Sequence, residues 1–163
     1  MHAVTGKARQ NRAMEFTRSS ILEAPAASVW AAVLRTDTFA YLAAPLLRFP
    51  AADLAEAQWL PEMELQDRLL LFGFIPLGTH RIRIAEVDDD TRRLRTEEGS
   101  RLLDRWDHAI TVEPIDERTC RYTDRLEIEA GSLTPVVGAF ARTLFWWRHR
   151  RWRRLVRELP SAG

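Results

Sequence analysis

The chain has one cysteine, Cys120, one lysine, Lys7, and no long hydrophobic run. A lone cysteine excludes an internal disulfide and any multi-cysteine metal site, which agrees with a reducing compartment. No apolar stretch reaches the ~18–20 residues needed to span a bilayer, so stable membrane insertion is not expected. Residues 1–13 lack the apolar core of a secretory signal; they read as a polar, disordered tail, and the protein is expected in the cytoplasm. Phosphate-cradling glycine motifs, the Gly-x-Ser-x-Gly elbow and the metalloprotease helix signature are also missing. The common enzyme chemistries have no foothold here, and no cofactor is implied.

What is present fits one globular domain, expected over residues 14–160. The 163 residues are 46% hydrophobic and 29% charged, and a chain of this length buries roughly two-thirds of its unfolded surface in one core. The net charge is +1 but unevenly placed. Of 24 Lys and Arg, seven arginines lie in residues 142–157 with no acid among them, leaving 17 basic against 23 acidic side chains elsewhere. The basicity is local rather than global.

In chain order, residues 14–24 alternate loosely up to Pro25 and suggest a strand. Pro25 starts a helix whose Val29, Trp30, Val33 and Leu34 form one apolar face. A second short helix follows, capped by Thr36 or Asp37 and ending before Pro45. Leu46, Leu47 and Phe49 suggest a further strand, and Ala51–Gln58 reads as loop. From Met63 the texture becomes strands separated by turn signals: Met63–Phe72, an apolar Gly73–Gly78 connection, His80–Val87, Arg92–Glu98, Leu102–Glu113 and Arg118–Glu129. Thr134 and Pro135 then open a long helix, with Thr134 as N-cap, that runs to Glu158 and is stopped by Pro160.

This order resembles the START-like superfamily, also described as Bet v 1-like or polyketide cyclase/dehydrase-like. The resemblance is carried by Glu23-Ala24-Pro25 leading to Val29-Trp30, by Trp106-Asp107-His108, by Tyr122-Thr123-Asp124 and by Gly131 before the closing helix. It implies an α+β helix-grip fold: a curved antiparallel sheet of about six to seven strands wrapped around a long C-terminal helix, with two short helices after the first strand. It also implies a cavity between sheet and helix. The glycine-rich loop of the plant allergens has no counterpart between Phe49 and Met63, which counts against that branch.

Alternation puts Trp106, His108, Ile110 and Val112 on one face, and Cys120, Tyr122, Asp124, Leu126 and Ile128 on the matching face of the next strand. If that hairpin turns about Asp116, His108 faces Asp124 and Ile110 faces Tyr122; only even register shifts compete, because an odd one would set an apolar face against a charged one. An inward His and Asp is open to three readings: a satisfied buried pair, a contact to a polar ligand atom, or a base with its orienting carboxylate. His80 lies on the apolar face of its own strand and is a further inward candidate. His80, His108 and His149 have no metal-ligand spacing, so no metal is expected. The six tryptophans together are candidates for lining a cavity.

On the long helix, Val137, Phe140, Ala141, Leu144, Phe145, Trp152, Leu155 and Leu159 fall in one sector at 100° per residue, with Arg142, His149, Arg150, Arg153 and Arg157 opposite. Arg148 and Arg151 break the pattern by falling inside the apolar sector. An arginine there reaches water, pairs with a carboxylate, or meets an anionic ligand group. The other arginines suit the negative end of the helix dipole, and with an acidic body and no recognition motif nucleic acid is not an expected partner.

The sequence therefore points to a container for a small, mostly hydrophobic ligand, lipid-like or polyketide/aromatic. His80, Trp106, His108, Tyr122, Asp124, Phe140, Leu144 and Arg148 are the expected ligand-binding residues. The alternative is a polyketide cyclase or dehydratase in which His108 or Asp124 moves a proton. A homodimer remains open.

Overall fold

The computed structural model describes residues 13–51 and 57–159. The elements run β1 (Met14–Leu22), α1 (Ala26–Val33), α2 (Thr36–Ala43), β2 (Leu47–Arg48), β3 (Glu64–Leu71), β4 (Ile75–Asp88), β5 (Arg93–Ser100), β6 (Leu103–Pro114), β7 (Cys120–Glu129) and α3 (Thr134–Leu155). The seven strands form one antiparallel sheet in the order β1-β7-β6-β5-β4-β3-β2. Its meander from β3 to β7 follows from alternating runs joined by short turns, and β1 closes on β7 by crossing from the chain's other end. The register shifts at Leu69/Leu70, Ile84/Glu86 and Glu98/Ser100. Such irregularities bend strands, which lets the sheet curl around a helix.

The inner face is apolar where the sequence alternates: Ile82, Ile84, Leu94, Ile110, Val112, Tyr122, Leu126 and Ile128 are buried. Against them α3 places Ala141, Leu144, Phe145 and Trp152, also buried. Burying a side chain of this size contributes roughly 1.5–3 kcal/mol, so the face shared by sheet and helix is the main stabilising surface. This is the expected helix-grip fold.

Several local expectations are corrected. The Gly73–Gly78 connection is mostly strand: β4 begins at Ile75, and the turn is the three residues 72–74, of which Phe72 and Gly73 have positive φ (53° and 81°). Two positive φ values in succession match the right-handed twist of the flanking strands, so the chain needs no longer loop. Thr134 is the first residue of α3 rather than its N-cap. Its Oγ1 accepts from Ala130 N at 2.9 Å and donates to Gly131 O at 2.9 Å, tying down the 3-10 turn Gly131–Leu133 that leads into the helix. At the far end the regular helix stops at Leu155, and Arg157 and Glu158 bond back three residues, to Arg154 and Leu155. Tighter bonding of this kind is common in a last turn. Most of the expected Ala51–Gln58 loop, the stop at Pro160 and nearly all of the N-terminal tail lie outside the described residues.

Candidate functional site

The hairpin of β6 and β7 sets the polar part of the interior. Its register pairs Ile110 with Asp124, Val112 with Tyr122 and His108 with Leu126, two residues away from the expected pairing. Asp116 does not sit at the apex. Its Oδ1 accepts from the backbone of Arg118 at 2.8 Å and Thr119 at 2.7 Å, so it opens the turn, which centres on Glu117. The slip is even, and the expected faces survive it. His108 still meets Asp124, diagonally rather than directly: Nε2 lies 2.6 Å from Asp124 Oδ1.

Asp124 is fully buried and gathers three donors. Oδ1 accepts from His108 Nε2 and from the Tyr122 hydroxyl at 2.9 Å, and Oδ2 accepts from His149 Nε2 at 2.9 Å. His149 Nδ1 in turn lies 2.7 Å from Ser20 Oγ on β1. An ionised carboxylate only accepts, so both imidazoles carry their Nε2 proton toward it, and Ser20 completes the second one. Burial alone would raise the Asp124 pKa, but the hydrogen bonds from His108 and His149 and the nearby Arg148 outweigh it, holding the carboxyl well below the usual range. Burial, then the Asp124 charge, pushes the Tyr122 phenol up, so Tyr122 remains a donor. One carboxylate therefore ties three strands to the helix.

The helical wheel misplaced His149. It is buried, not solvated, because the curled sheet reaches further round α3 than one apolar sector, and Ser20 and Asp124 supply polar partners there. Arg142, Arg150, Arg153 and Arg157 are exposed, as expected. Arg151 leaves the interior: its guanidinium stacks 3.7 Å from the centroid of Tyr41 on α2. Only Arg148 stays inside, 4% exposed, 5.1 Å from the Phe145 ring centroid. Burial disfavours its charge, but Tyr122 and Asp124 beside it raise its pKa, and it remains a cation whose Nε has no hydrogen-bond partner among the described residues.

A cavity of about 340 Å³ lies between the sheet and the first two-thirds of α3. Phe49, Leu69, Leu103, Val137 and Phe140 are among its apolar walls, and Leu102 and Val136, both exposed, stand at its rim. Of the expected ligand residues, His80, Trp106, His108, Phe140, Leu144 and Arg148 line it. Tyr122 and Asp124 do not. Tyr122 borders a separate void of about 20 Å³ together with His108, Glu98 and Arg148, and Asp124 sits behind His108 as its support. Of the tryptophans only Trp106 lines the large cavity; Trp59 and Trp152 border the small void.

Glu98 escaped the sequence reading, since a glutamate in a polar strand next to a glycine carries no inward signal. Its side chain is 6% exposed and borders both cavities. Oε2 lies 2.9 Å from His80 Nε2, and Oε1 accepts from Thr96 Oγ1 at 2.7 Å. Burial opposes ionisation, but the hydrogen bond and charge of His80, with His108 and Thr96 adding to them, lower its pKa overall. The diagonal His80–Glu98 pair repeats on β4 and β5 what His108–Asp124 does on β6 and β7. No group of His, Cys, Asp and Glu suited to a metal occurs among the described residues.

The fold recurs in solved structures. Norcoclaurine synthase from Thalictrum flavum, in complex with dopamine and hydroxybenzaldehyde, superposes with a TM-score of 0.67 at 13% identity over 99% of each chain. The di-domain ARO/CYC BexL from the BE-7585A biosynthetic pathway gives 0.59 at 14% identity, covering 88% of this chain and 45% of that one. A START superfamily protein from Mycobacterium smegmatis gives 0.57 at 10% identity over 86% and 98%. At such identities the likeness is one of fold. No curated protein matches the chain in sequence. The family described as "Domain of unknown function (DUF8410)" matches residues 20–156, and the chain is a member of that family, built on the Bet v 1/START-like helix-grip fold.

Proposed function

We propose that the protein binds a small, mostly hydrophobic molecule in the cavity between the sheet and α3. The carrying observation is the cavity itself: about 340 Å³ of largely apolar space, open at the Leu102 and Val136 rim, against about 150 Å³ for an engineered cavity that takes up benzene. The volume falls within the range of ordinary small-molecule pockets, about 300–1,000 Å³. It suits a bicyclic aromatic or a short lipid-like chain. Polar groups gather around Glu98, where His80, His108 and Arg148 also meet the cavity wall, so one part of a ligand is directed and the rest is held by burial. The named neighbours support the reading, since one holds two small aromatic molecules and another is called an ARO/CYC.

A second reading, a polyketide cyclase or dehydratase using the same cavity, is favoured by the His108–Asp124 contact. Nucleic acid is no part of either, because the exposed arginines of α3 lie at the negative end of its dipole and need no partner. Native mass spectrometry of the purified protein, with titration of neutral N-phenyl-1-naphthylamine, tests the binding reading. A retained small molecule or saturable one-to-one probe fluorescence is expected. A bare protein that takes up no probe would remove the container reading.

A further inference from the structure

The electrostatics of the polar end go beyond simple containment. Two carboxylates, Asp124 and Glu98, are buried around His108, with Arg148 as the buried cation beside them. These side chains together hold more negative than positive charge when the imidazoles are neutral. A ligand that arrived as an anion would add to the excess. A neutral ligand that gave up a proton inside the site would not, because the proton would stay on an imidazole flanked by carboxylates.

His108 is built to receive such a proton. Its Nε2–H is committed to Asp124, which Tyr122 and His149 hold in place, so Nδ1 is the ring nitrogen left over, as a lone-pair acceptor on a residue that lines the cavity. Asp124 itself lies behind the wall with its oxygens already engaged; it orients and does not abstract. Arg148 lines the same cavity, and its Nε has no acceptor among the described residues. A developing oxyanion would meet this cation in a cavity with largely apolar walls.

We propose that the cavity is a proton-transfer site for weak oxygen acids, phenols or enolisable ketones, with His108 Nδ1 as the base and Arg148 as the partner of the oxyanion. For a phenol the ligand O–H bond breaks, an N–H bond forms at His108 Nδ1, and the electron pair stays on the ligand oxygen facing Arg148. For an enolisable ketone the broken bond is the C–H beside the carbonyl, and the pair is delocalised onto the carbonyl oxygen. No oxidant or further reactant is needed. His149, Ser20 and Tyr122 are positioning residues that act through Asp124.

The inference rests on the cavity reading, and one probe pair separates the two. 2-Naphthol is apolar and bicyclic, and phenols ionise near pH 10 in water; 2-methoxynaphthalene has the same shape and cannot ionise. Both are titrated at pH 7 by calorimetry, while the red-shifted naphtholate absorbance is recorded. Wild type is expected to bind both, to show the naphtholate band only with 2-naphthol, and to prefer it by about tenfold or more, the size of one hydrogen bond to a charged group. His108→Gln and Arg148→Met, checked for native circular dichroism, should bind both and lose the band. If one variant does not fold, the other carries the comparison alone. 2-Naphthol bound in neutral form by wild type would overturn the proton-transfer site and leave the container standing. Failure of both probes to bind would remove both.

Discussion

Replacing Asp124 with Asn tests the buried network most directly. Three donors share two carboxylate oxygens, whereas an amide offers one oxygen and turns the other position into a donor. If the oxygen stays with His108 and Tyr122, the new NH2 faces His149 Nε2–H. The imidazole can escape only by moving its proton to Nδ1, against Ser20, whose hydroxyl must then accept. Arg148 also loses a neighbouring counter-charge. A hydrogen bond to a charged group contributes about 1.5–3 kcal/mol, and breaking a buried ion pair from one side costs about 3–5 kcal/mol, so a loss of about 3–5 kcal/mol at pH 7 is expected. Urea unfolding with an unchanged m value measures it. The sign of the pH dependence is fixed as well. The Asp124 carboxyl is lowered in the folded state, so its contribution is complete above the unfolded value near pH 4 and drains away as pH falls toward the folded one. Glu98, also lowered here, keeps its His80 and Thr96 partners when Asp124 is replaced, so its contribution is expected to cancel in the difference. The gap between wild type and Asp124→Asn should therefore narrow below about pH 4. A loss under about 1 kcal/mol at pH 7, or a gap that stays constant into acid, would refute an ionised hub.

Other substitutions probe the neighbouring parts. Ser20→Ala removes one buried hydrogen bond to His149 and should cost about 1 kcal/mol in the same urea assay; a neutral result would mean that Ser20 does not hold the ring. Ala43 is buried on the cavity wall, so Ala43→Phe should fill space and weaken N-phenyl-1-naphthylamine binding while circular dichroism is preserved. Undiminished binding would place the probe elsewhere. Burial pushes the Cys120 thiol up to about 11, so iodoacetamide at pH 8 should label it only as fast as the protein unfolds; rapid native labelling would contradict its position.

The sequence made the faces of the strands legible and left their offsets obscure. Period-two alternation placed Trp106, His108, Tyr122 and Asp124 inward, and it did so because an odd slip would have exposed an entire apolar row. It could not choose between even offsets, and the choice fell to a local device, the Asp116 side chain capping two amides of its own turn. Helical periodicity worked for Phe140, Leu144 and Arg148 but assumed one flat contact face. A sheet that curls round the helix buries a second sector, which is why His149 was misplaced. Glu98 was illegible for a related reason: its inward role depends on His80, eighteen positions away, and on a bulge next to Gly99. The element order itself was readable from turn residues and Pro positions, because those act within a few bonds.

The long helix is fastened unevenly. Trp147 donates to Ala44 O at 2.7 Å, His149 bonds to β1 and β7, and Arg151 lies on Tyr41, all within its second half. The first half offers Val136, Val137 and Phe140 to the cavity with greasy contacts that can slide. Mechanically it is a beam whose long-range polar fastenings gather at one end, while the other is held by apolar contacts and by the Thr134 turn. Leu102 and Val136 border the opening at the end held by apolar contacts, so the side chains that a guest must pass lie away from the charged groups fixed at the other end.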